Sequence, residues 1–156
     1  MTVVLWRIGT EAPDFSAIDL SGAGARKSGG RRNSPGTPML YSSVNIALAT
    51  LETLSHIRSG SLPFNRYLVR IDIPDEVWRR RTVLKPLPGG WDAIPFGLAG
   101  RHAGDAWAAR NRSALLQVPS VIVPEEANIL INPAHPDIGK ISAVALKRWI
   151  ADPRFF

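Results

Sequence analysis

The chain contains no cysteine. That excludes a disulfide framework, a thiolate metal site and a thiol nucleophile, and it agrees with a cytoplasmic setting. Long apolar runs are missing as well, since none approaches the roughly 18 residues that a transmembrane helix needs. The opening MTVVLWRIG has no basic segment before its short apolar stretch, which Arg7 interrupts, so a strand is expected there rather than a signal peptide. No GxxxxGK[ST] loop, GxGxxG fingerprint or HExxH motif occurs. The histidines, His56, His102 and His135, lie far apart without metal-ligand spacing, so no metal site is expected. Ser113 and Ser120 have no GxSxG elbow near them, which leaves a hydrolase triad unsupported.

At 156 residues, with 45% hydrophobic and 21% charged residues, the sequence fits one globular domain with a core of its own. The net charge of +6 rests on fifteen arginines against four lysines. Guanidinium groups suit bidentate contact with phosphate or carboxylate, so an anionic partner is one explanation. Codon bias in a high-GC genome is the other, and composition does not choose between them.

Apolar alternation and breakers place the elements. Val3 to Ile8 and Tyr67 to Ile73 read as strands, the second stopping at Pro74, and Gly22 to Pro38 reads as a long loop. Met39 to Tyr41 reads as a short strand. Ser42 or Ser43 then caps a helix from Val44 to Arg58, with Val44, Ala47, Leu48, Leu51 and Leu54 at helical spacing and a stop at Ser59 and Gly60. Asp75 to Arg81 suits a short helical turn whose triple arginine is solvated. Lys85 to Gly100 is expected to be irregular, pinned by Trp91 and Phe96, and Asp105 to Arg112 helical. Leu115 to Val118, Ser120 to Val123 and Ile129 to Ile131 are apolar runs broken at Pro119, Pro124 and Pro133, which suggests edge or bulged strands. Lys140 to Phe156 closes the chain, with Trp149 and Phe155 as anchors. The sum is a single α+β domain around a distorted, mostly antiparallel sheet flanked by helices.

The densest chemistry lies between Gly29 and Glu52, GGRRNSPGTPMLYSSVNIALATLE. A loop arginine (Arg31), a strand-end tyrosine (Tyr41) and a helical glutamate (Glu52) are the groups that would hold an anion, stack on a ring and stabilise a sugar-centred cation. Each has a blander explanation alone: a solvated arginine, a half-buried tyrosine, a glutamate facing water.

These residues resemble the first block of the RES domain, a family of toxins from bacterial toxin–antitoxin pairs. SALLQVPSVIVPEEANILINPAHP (Ser113 to Pro136) resembles its second block, and LWRI (Leu5 to Ile8), GDAW (Gly104 to Trp107) and ADPRFF (Ala151 to Phe156) extend the likeness along the chain. Spacing agrees too, with ten positions from Arg31 to Tyr41 and eleven from Tyr41 to Glu52. One position departs: Arg32 stands where the family commonly has an aromatic residue.

The resemblance implies a single RES domain over residues 1–156 with an ADP-ribosyltransferase-like fold. It implies a type II toxin that degrades NAD+ by cleaving the nicotinamide–ribose bond, by hydrolysis or phosphorolysis. The same residues would serve a protein ADP-ribosyltransferase. A non-catalytic nucleic-acid-binding module is a third reading, although Arg26 to Arg32 and Arg79 to Arg81 contain no aromatic for stacking. Within the first reading Glu52, Arg31 and Tyr41 are catalytic, and Arg7, Ser120, Ser113, Asn128 and Arg32 contact NAD+. Glu52→Ala is expected to abolish NAD+ loss and leave the fold intact. NAD+ is then a substrate, with no prosthetic group. The implied partners are an antitoxin with a helix-turn-helix, Xre-like part, a possible second copy in a homodimer, and DNA only through the antitoxin. No membrane association is implied.

Overall fold

Alternating apolar residues build the sheet outward from its two longest strands, β1 (Thr2–Thr10) and β3 (Arg66–Pro74). They pair antiparallel without interruption from Thr2 opposite Pro74 to Thr10 opposite Arg66. Period-two alternation sends Leu5, Val69, Ile71 and Ile73 to one face, and Ile8 and Leu68 to the other. The computed structural model describes residues 1–57 and 64–155. Within them the remaining strands are β2 (Leu40–Ser43), β4 (Thr82–Val83), β5 (Leu115–Pro119), β6 (Ala127–Ile131) and β7 (Ser142–Arg148). The seven form one sheet in the order β4-β5-β6-β2-β1-β3-β7, antiparallel except for the β4–β5 pair. The expected α+β, mostly antiparallel architecture is what the chain adopts.

The helices are α1 (Ala23–Ser28), α2 (Ile46–Leu54), α3 (Asp75–Arg79) and α4 (Leu98–Arg110). One face of the sheet carries the larger core, where Leu40, Leu115, Ile129 and Ile131 join Leu5 and Ile71, together with Ala17 and with Val77 of α3. On the other face Trp107 of α4 packs on Met39, Leu116, Val118 and Leu130. Leu54 of α2 packs there against the cluster of Ile8, Leu68 and Trp149. So α2 and α4 share the second face.

Several local expectations needed correction. The Gly22–Pro38 segment is not all loop, since it contains α1. The second helix is capped by Asn45, whose side chain accepts from Leu48 N, because Ser42 and Ser43 still belong to β2. Ala47 is exposed, and Arg58, Ser59 and Gly60 lie outside the described residues. Helix α4 begins at Leu98, a full two turns before Asp105. Residues Ser120 to Val123 form a bend rather than a strand, and β5 and β6 are interior strands. Proline has no N–H to give a ladder, so Pro119 ends β5 and Pro133 follows β6, without forcing either to an edge. Trp149 is buried as expected, but Phe155 is 62% exposed and anchors nothing.

Candidate active site

Helix α2 presents Glu52 to the end of the sheet. Asn45 fixes the start of the helix through Leu48 N (2.8 Å), and its own Nδ2 donates to Glu126 Oε1 (3.0 Å). A cap of this kind contributes about 1 kcal/mol. It also links the helix to the turn between β5 and β6, where Ser120 N donates to Glu126 O (2.9 Å). From that turn Ser120 Oγ donates to Glu52 Oε1 (2.8 Å), and Asn128 Nδ2 on β6 donates to the same oxygen (2.8 Å). Asn128 Oδ1 in turn accepts from Ser43 Oγ (2.7 Å), across the β2–β6 pair that sets Ser43 opposite Asn128. Ser120 has no exposed surface and its oxygen also accepts from Ile122 N and Val123 N. Both donors hold Oε1, and among the described residues Oε2 has no hydrogen-bond partner. The carboxylate is thus fixed in orientation with one oxygen free to act, the arrangement that electrostatic catalysis requires.

The arginine turn approaches from the α4 side. Gly30 N donates to Asn33 O (2.9 Å), closing Gly30 to Asn33 into a tight turn that carries Arg31 and Arg32. Tyr41 holds this turn from beneath: its hydroxyl accepts from Arg32 N (3.1 Å) and donates to Asn33 Oδ1 in a very short bond. Asn33, fully buried, spends its amide on Ala25 O (2.8 Å) and Thr37 O (3.0 Å). Asp105 of α4 accepts from both Ser34 N and Ser34 Oγ, tying the far side of the turn to the helix. Arg31 Nη1 donates to Ala93 O (2.8 Å), and the guanidinium groups of Arg31 and Arg101 sit 5.6 and 5.3 Å from the Phe96 ring. Arg101 Nε also donates to Gly30 O (3.2 Å). Among the described residues none of Arg31, Arg32 and Arg101 has a carboxylate partner. Guanidinium groups without carboxylate partners, one of them (Arg32) within electrostatic reach of the fixed Glu52 carboxylate, favour a ligand that is anionic at one end and cationic at its reacting centre.

Burial pushes the Tyr41 phenol up to about 12, against the pull of the Arg32 backbone and side chain. A raised phenol means that the folded state keeps its proton longer than the unfolded chain does. That stability is fully present below the ordinary value of 10 and is lost as pH climbs toward about 12. The wild-type melting temperature should therefore fall more steeply over that window than that of Tyr41→Phe, measured by a pH series of thermal melts. At neutral pH the Phe variant should be the less stable by about 1–3 kcal/mol, because Arg32 N and Asn33 Oδ1 lose their partner.

Of the residues singled out in the sequence, Glu52, Ser120 and Asn128 meet directly, and Tyr41, Arg31 and Arg32 meet in the adjoining turn. Two do not join them. Register places Arg7 on the Leu5 face of β1, because Trp6 is the residue opposite Ser43 on the Glu52 face. Burial there holds the Arg7 guanidinium below its ordinary range, with Asp19 opposing and Arg66 reinforcing the shift. Ser113 is buried away from Glu52, where its Oγ receives Trp107 Nε1 (3.1 Å), contacts Thr82 Oγ1 (2.7 Å) and donates to Leu115 O (3.0 Å). Its position fastens α4 to the sheet.

Sequence reasoning assigned no role to Asn33, Asn45, Arg101 or Asp105. A signal existed for α4: Gly100 and Gly104, four apart on a helix, mark a face that another backbone can approach closely. A Cβ at Gly104 would lie 1.7 Å from Arg32 O, and one at Gly100 would lie 2.6 Å from Arg32 Nη1.

Comparisons with known proteins place the chain in a family. The family model described as the RES domain matches residues 4–153. The chain is 53% identical over 156 residues to the Prs ADP-ribosylating toxin of Sphingobium sp. (strain YBL2), covering 99% of this chain and 97% of that protein. It is 33% identical to a Toxin Res of Pseudomonas putida, covering 99% of this chain and all of its relative (100%). In the solved M. tuberculosis MbcT–MbcA toxin–antitoxin complex, one chain superposes with a TM-score of 0.66 at 17% identity, covering 94% of this chain and 85% of that one, which is a likeness of fold. With a family match over nearly its whole length and a relative 53% identical across 99% of it, this chain belongs to the RES domain family.

Proposed function

We propose that this chain is the toxin of a toxin–antitoxin pair and that it breaks the nicotinamide–ribose bond of NAD+, passing the ADP-ribosyl group to an acceptor. The observation that carries the reading is Glu52, held through Oε1 by Ser120 and Asn128, together with a turn whose arginines have no carboxylate partner among the described residues. In the reaction the bond from ribose C1′ to the nicotinamide nitrogen breaks, and its electron pair leaves with neutral nicotinamide. Positive charge builds on the ribose, and the Glu52 carboxylate stabilises it and accepts from a ribose hydroxyl. The acceptor then bonds to C1′ and releases a proton. Arg31 and Arg32 hold the diphosphate, and Tyr41 keeps the turn that carries them in place.

A protein side chain is the favoured acceptor, because the 53% identical relative is named for ADP-ribosylation. Water or inorganic phosphate is the second reading, since either can capture the same cation. An antitoxin partner is supported by the relatives named as Res toxins and by the toxin–antitoxin complex whose fold this chain shares. We assign that partner a helix-turn-helix part, and with it any contact to DNA, and we assign the activity to the cytoplasm. Among the described residues no helix is long and apolar enough to cross a membrane.

The test is a time course with NAD+ labelled in the adenylate half, run with water alone, with inorganic phosphate and with bacterial lysate. Nicotinamide release in step with label fixed to protein is the expected result. Free ADP-ribose or its 1-phosphate as the main product would shift the assignment to hydrolysis or phosphorolysis. Intact NAD+ in all three arms would remove the enzymatic reading.

A further inference from the structure

We propose that the exposed apolar segment at residues 94–99, IPFGLA, is the surface on which a protein acceptor docks, through an apolar contact bordered by the acceptor's carboxylates. The proposal deepens the protein-acceptor reading and rests on it.

Every residue from 94 to 99 is exposed. Ile94 is 85% exposed, Leu98 64% and Phe96 41%. Single apolar side chains at a surface are ordinary, whereas a continuous run of them marks a surface that another molecule covers.

The segment is joined to the arginine turn. Arg31 Nη1 donates to Ala93 O (2.8 Å), at the residue before Ile94. Within the segment, the Phe96 ring lies 5.6 Å from the Arg31 guanidinium carbon and 5.3 Å from that of Arg101. Leu98 opens α4, and Arg101 follows three residues later on the same helix face. A protein seated on Ile94 and Leu98 is therefore held next to the turn that carries the diphosphate ligands in the proposed reaction.

Two features select the occupant. The first is the acceptor itself. Water and inorganic phosphate reach ribose C1′ by diffusion and need no docking surface. A side chain on a folded protein has to be positioned, and an apolar contact beside the site supplies that. The second is charge. Across residues 85–102 Asp92 is the sole carboxylate, against Lys85 and Arg101. Among the described residues neither cation has a carboxylate partner. A partner with carboxylates around its apolar contact matches this surface. A second copy of the chain does not, because a two-fold contact sets each patch against itself and brings like charges together. Strand β7 also exposes Val144 and Leu146, but a register shift between Leu68 and Val69 and the nearby Lys147 and Arg148 blunt that edge.

The test compares wild type with Ile94→Ser/Leu98→Ser and, as a control, with Val144→Ser/Leu146→Ser on β7. Each is incubated with bacterial lysate and NAD+ labelled in the adenylate half. The labelled protein is identified by mass spectrometry and purified, and the kinetics of its labelling are measured. Affinity for NAD+ is measured by calorimetry. Both variants should melt within about 2 °C of wild type, because the side chains removed are exposed. Both should bind NAD+ within twofold of wild type. For Ile94→Ser/Leu98→Ser the KM for the acceptor should rise at least about tenfold, with kcat within twofold. The β7 variant should label as wild type does, and rising salt should raise the wild-type KM for the acceptor. A wild-type KM in Ile94→Ser/Leu98→Ser removes this proposal alone. So does a tenfold loss of NAD+ affinity, which would make the segment part of the dinucleotide site. Normal labelling combined with escape from the antitoxin would give the surface to the antitoxin, and normal labelling combined with loss of a wild-type dimer would give it to a second copy. Wild type that releases nicotinamide and labels no protein removes the protein-acceptor reading, and this proposal falls with it.

Discussion

Glu52→Gln should lower nicotinamide release by at least about a hundredfold while the protein folds and melts close to wild type. Glutamine is the informative replacement because of how the carboxylate is held. Ser120 Oγ and Asn128 Nδ2 both donate to Oε1, and a glutamine carbonyl oxygen can accept both bonds from the same place. The geometry survives and the negative charge facing the ribose is lost. Glu52→Ala, which the sequence alone recommends, is a poorer probe. It leaves the buried Ser120 hydroxyl and the Asn128 amide without their acceptor, at about 1–3 kcal/mol. Its loss of activity would then mix chemistry with instability. The measurement is initial rate of nicotinamide release paired with a thermal melt. A Glu52→Gln protein that melts normally and releases nicotinamide at the wild-type rate would falsify the catalytic assignment.

The second large effect is on stability. Gly104→Ala would put a methyl group 1.7 Å from the carbonyl oxygen of Arg32 and 2.7 Å from its carbonyl carbon. Neither atom is the free end of a side chain, because Tyr41 holds Arg32 N and Asp105 holds Ser34 N on either side of that peptide. Either α4 retreats from the sheet, loosening Trp107, or the arginine turn is pushed out of place. Overpacking of this kind costs about 1–3 kcal/mol, and contact with fixed backbone puts this case at or above the upper end. For a chain of this size that is a fall of roughly 5–10 °C in melting temperature, with activity reduced in whatever fraction remains folded. Gly24→Ala is the matched control. It lies inside α1 with nothing within 4 Å of the added methyl, so it should gain about 0.5–1 kcal/mol from helix propensity alone. Equal melting temperatures for the two variants would show that the close approach of α4 to the turn is not a constraint.

Much of the fold was legible because its signals are local. The alternation of YLVRIDI and the short apolar runs around Leu115 and Ile129 each specify a strand from their own residues. Errors arose where a local signal has two tertiary outcomes. Ser43 can cap a helix or close a strand, and its pairing with Asn128 selects the strand, passing the cap to Asn45. Proline after an apolar run can mark an edge strand or simply the end of an interior one. Which of these it is depends on neighbours far away in the chain.

The candidate site divides along the same line. By itself the sequence determined the identities and order of its parts: an arginine-bearing turn rich in glycine and proline, a tyrosine, a glutamate on a helix, and a later block containing Ser120 and Asn128. Side-chain chemistry and spacing are properties of the chain, so they can be read there. Only the tertiary structure decided which of them meet. Sheet register turned Arg7 to the opposite face, and helix packing committed Ser113 to Trp107 while the turn at Ser120 brought that hydroxyl to Glu52. The same packing, through the two glycines of α4, enclosed Arg32 and left its guanidinium without a partner among the described residues. Register and packing depend on contacts between residues tens of positions apart, and no window of sequence contains them.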